Sequence, residues 1–248
     1  MKPVSLLQLD WHLTKEASEI LQTLYQPNSF KLRQFGLLER PQLELDEVNY
    51  KLFVCGKGGI GKTTLIARLS GNEVSTSYCE TPGIQISVVY WPVKLLNTSR
   101  IVMFRLEFWD AGEGALKKFD HILPACKEDL DALIFVFSFT DRSSFEEIPQ
   151  QLSKIFQPTE RPCPIIFGTR FDQHSMSEVT LRDVRDFEQR WKIPIIKLKN
   201  NVVDSQSSKS LQASELSEIG LALNIVCNHL WQRDQSLAGI TVTQKTQT

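Results

Sequence analysis

Hydrophobic and polar positions follow two different periods along residues 48–235. Short apolar runs recur, and the segments between them carry apolar residues spaced three or four apart. The runs are typical of buried strands, and the longer spacing is typical of amphipathic helices. The runs predict strands at residues 50–55, 85–91, 101–109, 132–139, 165–168 and 193–198. The segments between and after them predict helices at residues 62–70, 116–127, 144–156, 181–191 and 214–231.

Strands that alternate with helices are typical of an α/β fold with a mostly parallel sheet. The second and third strands are the exception, because residues 97–100 predict a hairpin turn and therefore an antiparallel pair. Pro92 is expected to end the second strand. Thr180 is expected to cap the helix predicted at residues 181–191. The sequence therefore predicts a six-stranded, mostly parallel sheet flanked by helices.

The ends of the chain differ from this central domain. Residues 1–47 form an N-terminal extension, with a short amphipathic helix predicted at about residues 13–25. Residues 35–41 are apolar and then turn-like, and we expect the extension to pack on the domain, with partner docking as the alternative. Residues 200–210 predict a polar loop, and residues 236–248 predict a disordered polar tail.

Composition excludes several classes of function. A net charge of −1 gives no electrostatic footprint for nucleic acid. The longest apolar run, residues 132–137, is too short to cross a bilayer, and the N-terminus shows no cleavable signal pattern. The five cysteines and four histidines are scattered without metal-ligand spacing. We therefore expect a cytoplasmic protein with reduced thiols and no metal beyond one carried with a nucleotide.

The strongest motif is a glycine-rich stretch directly after the first predicted strand. It reads Gly56-Lys57-Gly58-Gly59-Ile60-Gly61-Lys62-Thr63, with Thr64 next. Gly, four residues, Gly, Lys and Ser or Thr, between a strand and a helix, is the pattern of a phosphate-binding loop. Glycines let the backbone wrap a triphosphate with its N–H groups, and the helix N-terminus adds its dipole. The motif predicts that this stretch binds nucleotide phosphates, with Lys62 at the β- and γ-phosphates and Thr63 as a Mg²⁺ ligand.

Two carboxylates follow later strands and extend the nucleotide prediction. Asp110 ends the third strand, where we expect it to hold Mg²⁺, with a turn-capping role as the alternative. Asp172 follows the fifth strand. A carboxylate there can accept hydrogen bonds from N1–H and the 2-amino group of guanine, a donor pair that adenine lacks. Asp172 therefore favours GTP over ATP, although a plain surface role stays open.

In this order, the motifs resemble those of the Ras superfamily of small GTPases over residues 50–232. The resemblance implies that Thr81, in Thr81-Pro82-Gly83-Ile84, binds Mg²⁺ and the γ-phosphate in the GTP state. Its implied catalytic residues are Lys62, Thr81, Gly112 and Glu113, and its implied base-binding residues are Thr169, Arg170 and Asp172. The segments at residues 35–41, 108–113, 115–121 and 137–142 resemble more narrowly the Rem- and Rab-like small GTPases of the ciliogenesis and planar polarity effector group.

The narrower resemblance implies a biological setting. It implies a switch or adaptor in cilium biogenesis, planar cell polarity and targeted vesicle or protein transport to the basal body. The partners it implies are the planar polarity effector proteins Fuzzy and Inturned. The C-terminus lacks a prenylation cysteine and the N-terminus lacks a myristoylation glycine, so no direct lipid anchor is expected.

Several residues depart from the family pattern. Glu113 stands where the family has a water-positioning Gln, and a carboxylate repels the γ-phosphate and cannot donate to it. We therefore expect slow intrinsic hydrolysis, while a base role for Glu113 or an arginine from a partner stays open. Thr169 lacks the amide that braces the phosphate loop, so lower affinity is expected. Arg170 can still lie over the purine, and selectivity by Asp172 should survive. The last guanine motif, Ser-Ala-Lys, has no clear copy, and Lys199 receives no role.

Two other functions compete with a cycling switch. The first is a GTP-binding adaptor that does not hydrolyse and whose output is assembly. The second is an ATP-using nucleoside monophosphate kinase, which the absence of arginine-rich lid segments disfavours. Nucleotide turnover separates the first rival from a switch, and competition between adenine and guanine nucleotides decides the second.

Overall fold

A computed structural model of the protein describes residues 5–24, 44–72, 74, 80–112, 128–155, 162–199 and 209–239. The helix predicted at residues 116–127 and the apolar segment at residues 35–41 lie outside these ranges. Glu113 also lies outside them.

Six strands form one sheet within the described ranges. They are β1 (Asp46–Cys55), β2 (Ile84–Lys94), β3 (Ile101–Ala111), β4 (Ala132–Ser138), β5 (Cys163–Thr169) and β6 (Ile195–Lys197). The strand order is β2-β3-β1-β4-β5-β6, and only the β2–β3 pair is antiparallel. The α/β fold with a mostly parallel sheet is therefore confirmed.

Helices cover the sheet. The α-helices are α1 (Lys15–Leu24), α2 (Lys62–Leu69), α3 (Arg142–Glu146), α4 (Ile148–Ile155), α5 (Leu181–Trp191) and α6 (Lys209–Leu237). Short 3-10 helices lie at Trp11–Leu13 and His174–Met176. Every residue of β4 is buried, as expected of a strand covered on both faces. No helix among the described residues has both the length and the apolar character needed to cross a membrane.

The prediction that Pro92 ends the second strand is wrong. Strand β2 runs through Pro92 to Lys94, and Pro92 lies opposite Met103. Because β2 lies at the edge of the sheet, it pairs on one side only, and an edge strand tolerates a residue without an N–H. The position of a strand in the sheet, which the local sequence does not encode, decides this point.

Several other boundaries differ from the predictions, among them β6, which covers Ile195–Lys197 where residues 193–198 were predicted. Strand β1 begins at Asp46 because it pairs with β3 from Asp46 opposite Val102 onward. The helix predicted at residues 144–156 is divided into α3 and α4, and Pro149 lies in the first turn of α4, where a missing N–H costs least. Strand β5 begins earlier than predicted, at Cys163, and takes in Thr169.

The C-terminal helix is longer than predicted at both ends. It begins at Lys209, within the segment predicted as a loop, and it ends at Leu237, within the predicted tail. Side chains hold its last turns to the sheet. Tyr50 donates to Asp234 across 2.7 Å, and Arg233 donates to Asp131 across 2.8 Å. These contacts lie far apart in sequence, which explains why local polarity predicted an earlier end.

The N-terminal segment packs against the domain over residues 5–24. Leu7 and Trp11 are each 1% exposed. The N–H of Gln8 donates to the Lys94 carbonyl, and the N–H of Leu96 donates to the Leu6 carbonyl, both across 3.0 Å. The segment therefore extends the sheet at the end of β2 that lies away from the phosphate loop.

A buried polar network joins this segment to the C-terminal helix. His12 is 7% exposed, and its Nδ1 lies 2.9 Å from Nδ2 of Asn224. The same amide donates to the Leu9 carbonyl across 2.6 Å, and its oxygen accepts from Trp91 across 2.7 Å. These contacts fix the amide orientation and make His12 Nδ1 an acceptor, which requires a neutral imidazole. Burial lowers the pKa of His12 below its ordinary value of 6.5.

The sheet gathers the predicted site residues at one edge. Strands β1, β3, β4 and β5 are parallel, so their carboxyl ends lie at the same edge. In parallel α/β sheets, ligands bind at that edge. The phosphate loop, Asp110 and Thr169 all lie at these strand ends.

Candidate nucleotide-binding site

The backbone of the phosphate loop requires glycine at several positions. Gly56, Gly59 and Gly61 have φ values of +144°, +76° and +97°. Residues with side chains rarely adopt such values, whereas glycine does so without strain. Gly61 is also the N-terminal cap of α2, so the loop delivers the chain directly into the helix. The geometry matches the strand, loop and helix that a phosphate-binding loop needs.

The other loop residues divide into buried and exposed groups. Ile60 is buried and anchors the loop to the core, whereas Gly58 and Gly59 are exposed. Thr63 and Thr64 lie in the first turn of α2, with Thr63 exposed and Thr64 half-buried. The loop is therefore anchored to the core on one side and exposed on the other, as ligand binding requires.

Lys62 folds its side chain back across the loop. Its Nζ donates to the carbonyl of Gly56 across 2.9 Å and to that of Lys57 across 2.8 Å. The side chain is buried at 8% exposure, so these contacts offset part of the cost of removing the ammonium from water. The ammonium lies over the start of the loop, within the site where phosphate binding is predicted.

The Lys57 side chain is directed toward α3 instead of the loop. Its Nζ donates to Ser143 across 2.6 Å and lies 3.6 Å from the carboxylate of Asp141. Hydrogen bonds from Ser143 and the Ser144 N–H, together with the Lys57 charge, lower the pKa of Asp141. The prediction for Lys57 as a phosphate-loop residue therefore concerns its backbone. Asp141 caps α3 by accepting from the Ser144 N–H, and the Asp-x-x-Ser pattern at residues 141–144 is the sequence signal for this cap.

The three residues predicted as metal ligands lie together. The hydroxyl of Thr63 donates to Oδ2 of Asp110 across 2.5 Å, and the two hydroxyls of Thr63 and Thr81 are 2.9 Å apart. The Thr81 hydroxyl also donates to the same carboxylate oxygen across 3.2 Å. Segments 18 and 29 residues apart in sequence thus converge on one point at the mouth of the phosphate loop.

The chemistry of this oxygen cluster fits Mg²⁺. Asp110 is 2% exposed, and its Oδ1 has no hydrogen-bond partner among the residues that the structure describes. A buried carboxylate oxygen without a donor needs a cation or water, and Mg²⁺ prefers hard oxygen ligands. Thr63, Thr81 and Asp110 would hold the ion. In the described ranges, no group of three or more His, Cys, Asp or Glu offers another metal site.

Gly112 lies against the segment that carries Thr81. Its N–H donates to the Gly83 carbonyl across 3.2 Å, which continues the β2–β3 pairing beyond the strand ends. A side chain at Gly112 would overlap the Thr81 carbonyl oxygen. The two segments are thus in direct backbone contact, and the catalytic role of Gly112 stays a prediction.

Thr169 corrects one expectation from the sequence. The missing amide at this position predicted a loss of bracing, but the Thr169 hydroxyl donates to the Ile60 carbonyl across 2.7 Å. It also lies 3.1 Å from the Phe137 carbonyl oxygen, and the residue is 5% exposed. A hydroxyl therefore braces the phosphate loop at the position where the family pattern has an amide. Sequence reasoning missed this contact because its two residues are 109 positions apart.

Arg170 contacts the loop and not an open face. Its Nη2 donates to the Gly59 carbonyl across 2.9 Å, and its Nη1 donates to Thr140 across 3.3 Å. The residue has a φ of +58°, a value uncommon outside glycine. The guanidinium is thus occupied by the phosphate loop, and stacking on a purine stays a prediction.

Asp172, which is predicted to bind the base, lies in the turn that follows β5. It is half-buried, and its carbonyl accepts from the His174 N–H across 3.0 Å. The preceding residue, Phe171, donates its N–H to the Leu198 carbonyl across 3.2 Å. The predicted phosphate, metal and base residues are therefore brought to one edge of the sheet, apart from Glu113.

Comparison with known proteins agrees with this arrangement. A profile of the Ras family matches residues 51–205, which is more than half of the chain. The chain belongs to the Ras family. Similarity beyond this Ras-family domain extends over almost the whole chain. Ciliogenesis and planar polarity effector 2 of Xenopus tropicalis is 44% identical over 245 residues, which cover 96% of this chain and 95% of the relative.

Other relatives give the same assignment. The Homo sapiens protein of the same name is 43% identical over 246 residues, which cover 96% of this chain and 94% of the relative. The Ras-related protein RabC of Dictyostelium discoideum is 25% identical over 155 residues, which cover 62% of this chain and 76% of the relative. The chain is thus a small GTPase by class, and Ras-family domains in general bind guanine nucleotides with Mg²⁺.

Proposed function

We propose that this protein is a guanine-nucleotide-dependent switch or adaptor with slow intrinsic GTP hydrolysis. The observation that carries the proposal is the convergence of Thr63, Thr81 and Asp110 at the mouth of the phosphate loop. Such a cluster suits a Mg²⁺ ion, which would neutralise negative charge on the phosphates of a nucleotide.

Each part of the site has a distinct task in this proposal. The loop amides and Lys62 hold the phosphates, and Arg170 and Thr169 keep the loop in place from the base side. Asp172 selects guanine by accepting from its N1–H and 2-amino groups. A Mg²⁺ ion held by Thr63, Thr81 and Asp110 would supply positive charge to the phosphate oxygens. Thr81 makes its segment sensitive to the presence of the γ-phosphate, because its hydroxyl already lies in the metal cluster.

Two features support slow hydrolysis. Glu113 replaces a water-positioning Gln, and a carboxylate opposes the negative charge that develops on the phosphate. The N–H of Gly112 donates to Gly83, so contact with a γ-phosphate requires this segment to move first. The same contact favours the second candidate function, a GTP-binding structural subunit that does not hydrolyse. In that case the ordered β2–β3 end is itself the surface that partners read.

The biological setting of the proposal rests on the relatives. Two of the most similar proteins are named ciliogenesis and planar polarity effector 2, and the likeness covers almost the whole chain. By analogy, this protein acts in cilium biogenesis and planar cell polarity and in targeted protein or vesicle transport to the basal body. Fuzzy and Inturned are the proposed protein partners. Copurification with both, in the GTP-loaded and GDP-loaded states, tests this part.

The test of the metal cluster is the Mg²⁺ dependence of GDP retention. Asp110→Asn keeps the shape of the side chain and removes its charge. The Mg²⁺ concentration that half-stabilises bound GDP should rise at least about tenfold, because a charged ligand is lost. Asp186→Asn on α5 is the control, since Asp186 is exposed and lies outside the site. An unchanged Mg²⁺ dependence in Asp110→Asn would show that the cluster does not hold the ion and would contradict the proposal.

A further inference from the structure

The backbone N–H and C=O of Lys199, just beyond β6, are each hydrogen-bonded to a side chain of a different helix. The Lys199 carbonyl accepts from Nη1 of Arg68, which lies on α2 and is 6% exposed. The Lys199 N–H donates across 3.0 Å to Oε1 of Glu218, which lies on α6. The helix that begins at the phosphate loop and the C-terminal helix therefore each hold one backbone group of Lys199.

Leu198, the residue before Lys199, is hydrogen-bonded to the turn that carries Asp172. The N–H of Leu198 donates to the Gly168 carbonyl across 2.9 Å, and the Leu198 carbonyl accepts from Phe171 across 3.2 Å. Phe171 immediately precedes Asp172. A displacement of Lys199 thus moves Leu198, whose carbonyl is hydrogen-bonded to the turn that carries Asp172 (the base-side turn) and whose N–H is hydrogen-bonded to the end of β5.

A contact of the same chemistry is present at the other end of β6. Oε1 of Glu188, on α5, accepts from the Ile195 N–H across 2.8 Å. That end of the strand lies away from the nucleotide edge of the sheet. Glu188 and Glu218 thus make the same kind of hydrogen bond to the two ends of one strand, and only Glu218 does so beside the base-side turn.

We propose that Glu218 and Arg68 are positioning residues of the guanine side of the site. They fix the backbone of Lys199 and, through Leu198, the position of Asp172 relative to the phosphate loop. Neither is expected to touch the nucleotide. Because Arg68 belongs to α2, its contact also sets the separation between the phosphate-binding and base-reading halves. The inference rests on the proposed guanine-nucleotide binding.

The test is the release rate of a fluorescent GDP from the purified full chain at fixed Mg²⁺. Glu218→Ala removes the acceptor for the Lys199 N–H and should accelerate release by about fivefold to tenfold, the effect of losing one hydrogen bond of typical strength. Glu218→Gln keeps an oxygen acceptor at the same place, so its release rate should match the wild type. Arg68→Met removes the donor to the Lys199 carbonyl and should accelerate release in the same direction.

Glu188→Ala is the matched control. It should lower thermal stability as Glu218→Ala does and leave GDP release unchanged. Equal acceleration by both alanine variants would show a general loosening of β6 and overturn the inference. Equal release from the wild type and Glu218→Ala would also overturn it while leaving the proposed function intact. A wild-type protein that retains no guanine nucleotide would overturn the proposed function and, with it, this inference.

Discussion

The hydroxyl of Thr169 donates to the carbonyl oxygen of Ile60 across 2.7 Å and joins the end of β5 to the phosphate loop. Thr169 is 5% exposed, so water does not readily replace this bond. The connection sets the distance between the part of the site predicted to read the base and the part predicted to hold the phosphates. A residue that departs from the family pattern thus supplies the bracing that the pattern normally assigns to an amide.

We predict that Thr169→Val weakens both folding and nucleotide binding. Valine has the shape of threonine without the hydroxyl, so the Ile60 carbonyl loses its donor. The free energy of unfolding should fall by about 1 to 3 kcal/mol, and the dissociation constant for GDP should rise about tenfold. Thr169→Ser retains the hydroxyl and is the control. Urea unfolding and fluorescent GDP titration measure the two effects, and wild-type values in Thr169→Val would show that the bond carries no weight.

Local chemistry explains which parts of the fold the sequence predicted. The helix Leu181–Trp191 was predicted with its observed bounds because Thr180 and Asp183 form a capping box, a signal contained in four residues. The phosphate loop was predictable for the same reason, since its glycines and Lys62 are adjacent. Strand β2 through Pro92 was not, because the tolerance for proline comes from the edge position of the strand.

Long-range contacts explain what the sequence left out. The bracing role of Thr169 depends on Ile60, and the extended end of α6 depends on Tyr50 and Asp131. Each contact joins residues about a hundred or more positions apart, with no periodic pattern between them. Motif spacing predicts Thr63 and Asp110 as metal residues and the family resemblance implies Thr81, but only the folded chain shows that the three share hydrogen bonds.

Two glycines of the phosphate loop should respond differently to alanine. A Cβ on Gly56 would lie 2.5 Å from the Val136 carbonyl oxygen, whereas a Cβ on Gly59 meets nothing within 4 Å. Both residues have positive φ. Gly59→Ala should therefore cost about 1 to 2 kcal/mol of unfolding free energy from backbone strain alone. Gly56→Ala should cost more than about 3 kcal/mol because the β4 backbone has to move as well.

Chemical denaturation of the nucleotide-free proteins measures this difference. The comparison is internal, since both variants add the same methyl group to the same loop. Equal losses of unfolding free energy in the two variants would contradict the packing of Gly56 against β4.

Stability should fall as the solution is acidified through the histidine range. Burial lowers the pKa of His12 below 6.5 in the folded chain, while the unfolded chain keeps the ordinary value. Between these two pKa values the unfolded state binds more protons than the folded state. The contribution of neutral His12 to the free energy of unfolding is therefore fully present above pH 6.5 and is lost as the pH falls toward the folded pKa. Burial lowers the pKa of His229 as well, which adds to the loss in the same direction. Hydrogen bonding to the Ser217 and Leu9 backbone and the nearby Asp10 charge oppose the lowering of the His12 pKa but do not reverse it.

His12→Gln tests this assignment. Glutamine does not titrate, so the drop in unfolding free energy between about pH 7.5 and pH 5.5 should be smaller than in the wild type. His229→Gln is the parallel variant, and the double variant should show the smallest drop of the four proteins. Urea unfolding at a series of pH values gives the slopes. A slope in His12→Gln equal to that of the wild type would place the titration elsewhere.

The fate of GTP bound to the purified protein tests the central claim most directly. The protein is loaded with GTP at fixed Mg²⁺, and the bound nucleotide is identified over several hours, with Lys62→Ala in parallel. The account predicts that the wild type binds GTP in preference to ATP and converts it more slowly than roughly 4 × 10⁻⁴ per second, the intrinsic rate of Ras, while Lys62→Ala retains little nucleotide. Conversion at or above that rate, or equal binding of ATP, would contradict it.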